Sequence, residues 1–211
     1  MTSSKKLLLF SPIIGIVIFV ILYVIATLFY PGGSQVDKNS TGFSWLNNYW
    51  CNLLNKYAIN GQVNTARPIA ITAMLILCIS LILFWLVFPK YTTVNKKLSA
   101  TIKFCGSLAM ATGFLLFTNI NHDLITNLAS GLGVIATIGV VIVLYKIAWH
   151  KLFFFGLLNF LLVALNNYVY YTKELIIYLP VVQKITFVLF LFWICAIEVS
   201  LYFKQLKMNH E

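Results

Sequence analysis

Acidic residues are nearly missing from this chain. Five Asp and Glu stand against 15 Lys and Arg in 211 residues, and only 9% of positions are charged. A water-soluble domain of this size needs far more charge to cover its surface. Cysteine is also sparse, with four residues and no Cys-x-x-Cys pair. That spacing excludes a disulfide framework and a thiolate metal site. Cys78, Cys105 and Cys195 fall inside apolar runs, where cysteine acts as a small apolar residue. Only Cys51 falls in a loop. No P-loop, no glycine-rich nucleotide fingerprint and no Gly-x-Ser-x-Gly elbow is present. No cofactor is implied.

Long apolar runs are what the chain has instead. Hydrophobic residues make up 61% of it, and about six runs approach or exceed the length that crosses a bilayer. Over such runs only helices satisfy every backbone group in lipid. The pattern therefore predicts an all-α fold, a single integral membrane domain of six antiparallel spans. Their expected ranges are about 8–30, 68–88, 101–120, 124–148, 152–171 and 181–202. The first run is too long for a signal-peptide core and reads as a retained span. Pro31, Gly32 and Gly33 stop it, because proline cannot continue a helix and glycine turns freely.

The net charge of +10 does not point to nucleic acid. The lysines flank apolar runs and do not form a stripe interleaved with aromatics. Their distribution predicts orientation instead. With six spans, ten of the 15 Lys and Arg lie on the side of the termini and five on the other. The positive-inside rule then places both termini in the cytoplasm and loops 1, 3 and 5 outside. The expected setting is a bacterial inner membrane, with membrane lipids as partners; a protein partner or homo-oligomer stays open. In this topology His122 is outside while His150 and His210 are inside, so no three-histidine metal site forms. Tyr30, Tyr168, Tyr170, Tyr171 and Tyr178 are expected to form an outer aromatic belt.

Loop 1, about 31–67, is the longest connection, and long loops in compact proteins are usually functional or disordered. Its centre, Phe43 to Tyr57, has a helical two-sided pattern. Leu46, Tyr49, Trp50, Leu53 and Tyr57 share one side, and Ser44, Asn47, Asn48, Cys51, Asn52 and Asn55 the other. The segment is expected to be an amphipathic lid helix, apolar side down and amide side available.

The outer side also collects the polar residues that could carry chemistry. His122 titrates near neutrality and could exchange a proton, with Asp123 orienting it. Asp123 equally reads as a helix cap, and Asn121 as a helix-end residue. Arg67 could hold an anionic head group by its fork geometry or simply anchor span 2. The candidate site thus comprises His122 and Asp123 as catalytic residues, with Arg67, Ser44, Asn47, Asn48, Asn121 and Asn166 binding the ligand. A serine nucleophile, Ser44 with His122 and either Asp37 or Asp123, is a further arrangement of the same residues. Glu198, inside span 6, is expected to pair with Lys103 or Lys146. Gly106, Gly113, Ala129 and Gly133 are expected to allow close helix packing.

The layout resembles bacterial six-span integral membrane proteins of unknown function that are distantly similar to the Frag/DRAM/Sfk type. The residues that carry the resemblance are Ser44-Trp45-Leu46-Asn47-Asn48 in the long outer loop and Asn121-His122-Asp123 between spans 3 and 4. Some eukaryotic relatives of that type are linked to remodelling of lipid anchors. The resemblance therefore implies a lipid head-group ligand at the outer face, and it carries over no catalytic residue.

Two readings follow. In the first, an outward polar pocket binds, and in an enzyme would modify, a lipid head group or small polar ligand. In the second, the chain is a non-enzymatic membrane scaffold or subunit, and a small transporter ranks behind both. Converging polar side chains would favour the first. Separate capping contacts, with an apolar outer surface on loop 1, would favour the second.

Overall fold

The computed structural model describes residues 3–92, 95–117 and 122–207, with side chains for all of these except 3–6, 116, 117, 122, 123 and 207. The described residues form six α-helices: α1 Ser3–Leu28, α2 Arg67–Tyr91, α3 Lys96–Gly113, α4 His122–Lys146, α5 His150–Tyr171 and α6 Leu179–Lys207. No strand occurs among them; the backbone pairs only as isolated bridges, Gly32 with Thr41 and Tyr57 with Val63.

Five helices are long and apolar enough to cross a membrane. The exception is α3, expected to be the third span. It has 18 residues and gives way at Phe114 to a short 3-10 turn. Its ~27 Å length is at the short end of what crosses a ~30 Å hydrocarbon core. Lys96, Lys97 and Lys103 also lie within it, and they lower its hydropathy.

The chain divides into two compact units, and four of the helices contribute to both. One contains 1–17, 75–157 and 192–211; the other contains 18–74 and 158–191.

The first unit is packed around large aromatics. Phe84, Trp85 and Phe88 of α2 are fully buried, as are Ile102 of α3, Leu144 of α4 and Trp193 and Ile197 of α6. Glycine makes the approaches possible. A Cβ at Gly106 would lie 2.3 Å from the Trp85 indole, and one at Gly156 would lie 2.6 Å from Val141 and 2.9 Å from Trp193. Of the glycines expected to be packing sites, Gly106 is one. Gly133 faces open space, and a Cβ at Gly113 would make only ordinary contact with Cys78. Helix α4 ends with Trp149 N–H donating to Leu144 O and Ala148 in the left-handed region at φ 58°. In α1, Pro12 cannot donate to the carbonyl of Leu8, and the Ser11 hydroxyl donates to it instead.

The second unit contains the long loop, and here the structure corrects the sequence reading. The 43–57 segment is not an amphipathic α-helix. It is a turn followed by one 3-10 stretch, Trp50–Leu54. Trp50 and Leu53 do point inward, as expected. Leu46 and Tyr57 do not, being 67% and 52% exposed, whereas Asn48 and Asn52 are buried. The faces expected from helical spacing are thus partly exchanged. The reason is backbone accounting. A non-helical loop leaves N–H and C=O groups unpaired, and burying them requires polar side chains beside them.

Candidate functional site

The loop is held by asparagines, each carrying both donors and acceptors. Asn48 accepts from the Ser44 N–H at 2.8 Å and donates to Gly33 O at 2.8 Å. Asn52 accepts from the Tyr49 N–H at 2.7 Å. The Asn64 amide nitrogen lies 2.9–3.1 Å from the carbonyls of Asn52, Leu53 and Asn55, and its oxygen accepts from the Ala66 N–H. Gly33 closes the other end. Its φ is +83°, and a Cβ there would lie 2.4 Å from Asn60 N, so both conformation and space demand glycine.

Helix side chains tie this cap down. The Tyr23 hydroxyl donates to Trp50 O at 3.1 Å. Tyr30 accepts from the Ile59 N–H at 3.0 Å. Tyr30 is therefore a buried tether and not part of an outer aromatic belt, while Tyr168, Tyr170, Tyr171 and Tyr178 are exposed as expected. Phe19, Tyr23, Trp50 and Phe187 pack their rings edge-on or tilted, with centroids 4.9–6.3 Å apart. Lys184 of α6 is buried, and its ammonium donates to Asn48 O at 2.6 Å and Pro180 O at 2.8 Å. The same ammonium lies 5.9 Å from the Phe43 ring centre.

The expected site residues can be placed against this frame. The Arg67 Nε–H donates to Leu54 O at 3.0 Å. Ser44 Oγ accepts from the Asn47 N–H, and the Asn47 carbonyl accepts from the Gln35 N–H. The Asp37 carboxylate accepts from the Asn39 N–H, closing a local turn. Asn166 donates to Leu162 O and to the Thr186 hydroxyl of α6, a helix-to-helix contact within the second unit. The side chains of Arg67, Ser44, Asn48 and Asn166 thus each have their own backbone or helix partner and do not converge on a shared point. Asn121 lies outside the described residues. His122 and Asp123 open α4, and their side chains lie outside the described ones. Cys51 is no activated nucleophile either, because burial pushes its thiol up from the usual value.

Two residues were underrated by sequence reasoning. Lys184 had a signal, since an ionisable residue inside a spanning helix always needs a named partner. Asn64 had only its place in a turn-rich segment. A third expectation is corrected at Glu198. It is fully buried in α6, and neither carboxyl oxygen has a hydrogen-bond partner among the described residues, so the expected pair with Lys103 or Lys146 is not formed. Burying a lone carboxyl is costly. Glu198→Leu is therefore expected to raise the stability of the purified protein by about 1–3 kcal/mol, read as a higher melting temperature. A lower melting temperature would mean that the carboxyl has a stabilising partner.

In comparisons with protein-family models, with curated proteins and with solved structures, no match to this chain was found.

Proposed function

We propose that this chain is a non-enzymatic scaffold or subunit of a bacterial inner membrane, with both termini in the cytoplasm and the 29–67 cap on the outer side as its docking element. The observation that carries the reading is how the cap is built. Asn48, Asn52, Asn64 and Arg67 give their side-chain hydrogen bonds to the chain's own backbone. Five of its apolar side chains point out: Val36, Trp45, Leu46, Tyr57 and Val63 are exposed. A ligand pocket calls for the opposite arrangement, with polar groups free and convergent. A rigid loop displaying apolar groups suits protein docking. The alternative, an outer polar pocket using His122, Asp123 and Arg67, is the reading favoured by resemblance to the six-span Frag/DRAM/Sfk-type proteins.

One pair of measurements separates the two. A photo-crosslinking residue at Leu46 or Val63 in native membranes should give a discrete protein adduct, and Trp45→Ala should abolish it while the cap stays protease-resistant. Lipid profiles of a deletion strain should match those of the parent. Altered lipids restored by the wild-type gene but not by His122→Ala would establish the enzyme reading and end the scaffold one.

A further inference from the structure

The first unit holds an open groove of about 740 Å³ where the α4–α5 turn meets α6. Its surface is mainly apolar, formed by Ala148, Trp149 and Leu152 on one side and Phe203 on the other. Three basic side chains, His150, Lys151 and Lys204, also line it, and among the described residues no carboxylate does. They come from two elements. His150 and Lys151 open α5, and Lys204 lies in the last turns of α6. The Lys204 ammonium sits 5.9 Å from the Trp149 ring centre, and the His150 ring packs against Tyr145 at 6.2 Å, so both have aromatic supports.

Nothing in the cap or its tethers uses these residues. The groove combines an apolar floor with cations along its edge, which is complementary to an anionic amphiphile and to neither a sugar nor a cation. Its level in the fold supports the same occupant. It lies at the ends of α4, α5 and α6, three helices long and apolar enough to cross a membrane, and so at head-group height. Basic pockets between helix ends bind acidic lipid head groups by this chemistry. The first N–H groups of α5 have no intrahelical acceptor, and no acidic residue in its first turn competes for them.

We infer that this groove is a binding site for one anionic glycerophospholipid, with its phosphate against Lys151, Lys204 and His150 and its acyl chain along Trp149, Leu152 and Phe203. The inference does not depend on the scaffold reading, because it uses none of the cap residues.

The test uses the full chain reconstituted with equal phosphatidylglycerol and phosphatidylcholine, with retained lipid read by native mass spectrometry. Wild type should keep phosphatidylglycerol preferentially. Lys151→Gln/Lys204→Gln should reduce that retention about tenfold or more. Lys96→Gln/Lys97→Gln, which removes the same charge elsewhere in this unit, should leave it unchanged. Ser200→Trp should abolish it by filling the groove with all cations in place, which keeps the inference testable if the lysine pair fails to fold. Equal retention of the two lipids would overturn the inference, as would equal losses in the two lysine pairs or full retention in Ser200→Trp. Thermal stabilisation by inorganic phosphate matching that by phosphatidylglycerol would also overturn it, by showing a small-anion site.

Discussion

Replacing Asn64 with alanine is expected to open the cap while the helices stay intact. One side-chain amide serves three carbonyls at 2.9–3.1 Å, and its oxygen holds the Ala66 N–H at the entry to α2. Asn64 is buried, so water cannot replace those bonds without the loop moving. Each buried group left unpaired costs about 1–3 kcal/mol, and at least two are left, giving about 3–5 kcal/mol against the closed loop. A closed loop weakened by that amount opens about a hundredfold or more often. Trypsin reads this directly, because Lys38 and Lys56 lie in the loop, and cleavage follows the open population when closing is fast. Cleavage at Lys56 should rise by at least that factor while helix content is unchanged. Asn64→Asp should behave no better, because it turns a donor toward three carbonyls into a fourth acceptor. Wild-type resistance in Asn64→Ala would show that the other tethers, from Tyr23, Tyr30, Asn48 and Lys184, hold the cap without it.

Gly106→Ala is expected to destabilise the first unit. On propensity alone the change should help, since alanine is better than glycine in a helix by about 1 kcal/mol. Space decides the other way. The new methyl would stand 2.3 Å from Cγ and 2.4 Å from Cδ2 of the Trp85 indole. Trp85 is fully buried beside Phe84, with ring centroids 4.9 Å apart, so the indole cannot swing aside. Helices α2 and α3 must separate, and overpacking of this kind costs about 1–3 kcal/mol or more after the propensity gain. The expected result is a clear drop in melting temperature in detergent. Combining Gly106→Ala with Trp85→Leu should recover part of the loss, because the shorter side chain frees the space taken by the methyl. The coupling between the two changes is the quantity to measure. Additive losses would place the damage elsewhere than this contact.

The two experiments probe different kinds of information. Gly106 was visible in the sequence as a small residue on an apolar run, and its role in close packing was anticipated. Gly133 fitted the same description and faces open space. Composition identifies residues that permit approach, but only the packing shows which of them is approached. The candidate site illustrates the same limit. Arg67, Ser44, Asn48 and Asn166 were recognised as candidate polar residues, and all four lie in the second unit. Their partners were not legible, because a backbone carbonyl has no sequence signature.

The membrane class, the helical character and most helix boundaries were determined by sequence alone. Hydropathy over about 20 residues, together with Pro and Gly at the ends, is local information, and lipid leaves the backbone no alternative to helix over such runs. Tertiary structure decided the inside and outside of the loop, the use of Lys184 as a tether and the meeting of the α4–α5 turn with Lys204. Helical spacing predicts a face only where there is a helix. In the 43–57 segment there is almost none, so burial there follows the need to pair backbone groups: Asn48 and Asn52 go inward beside Leu53, while Leu46 and Tyr57 stay out.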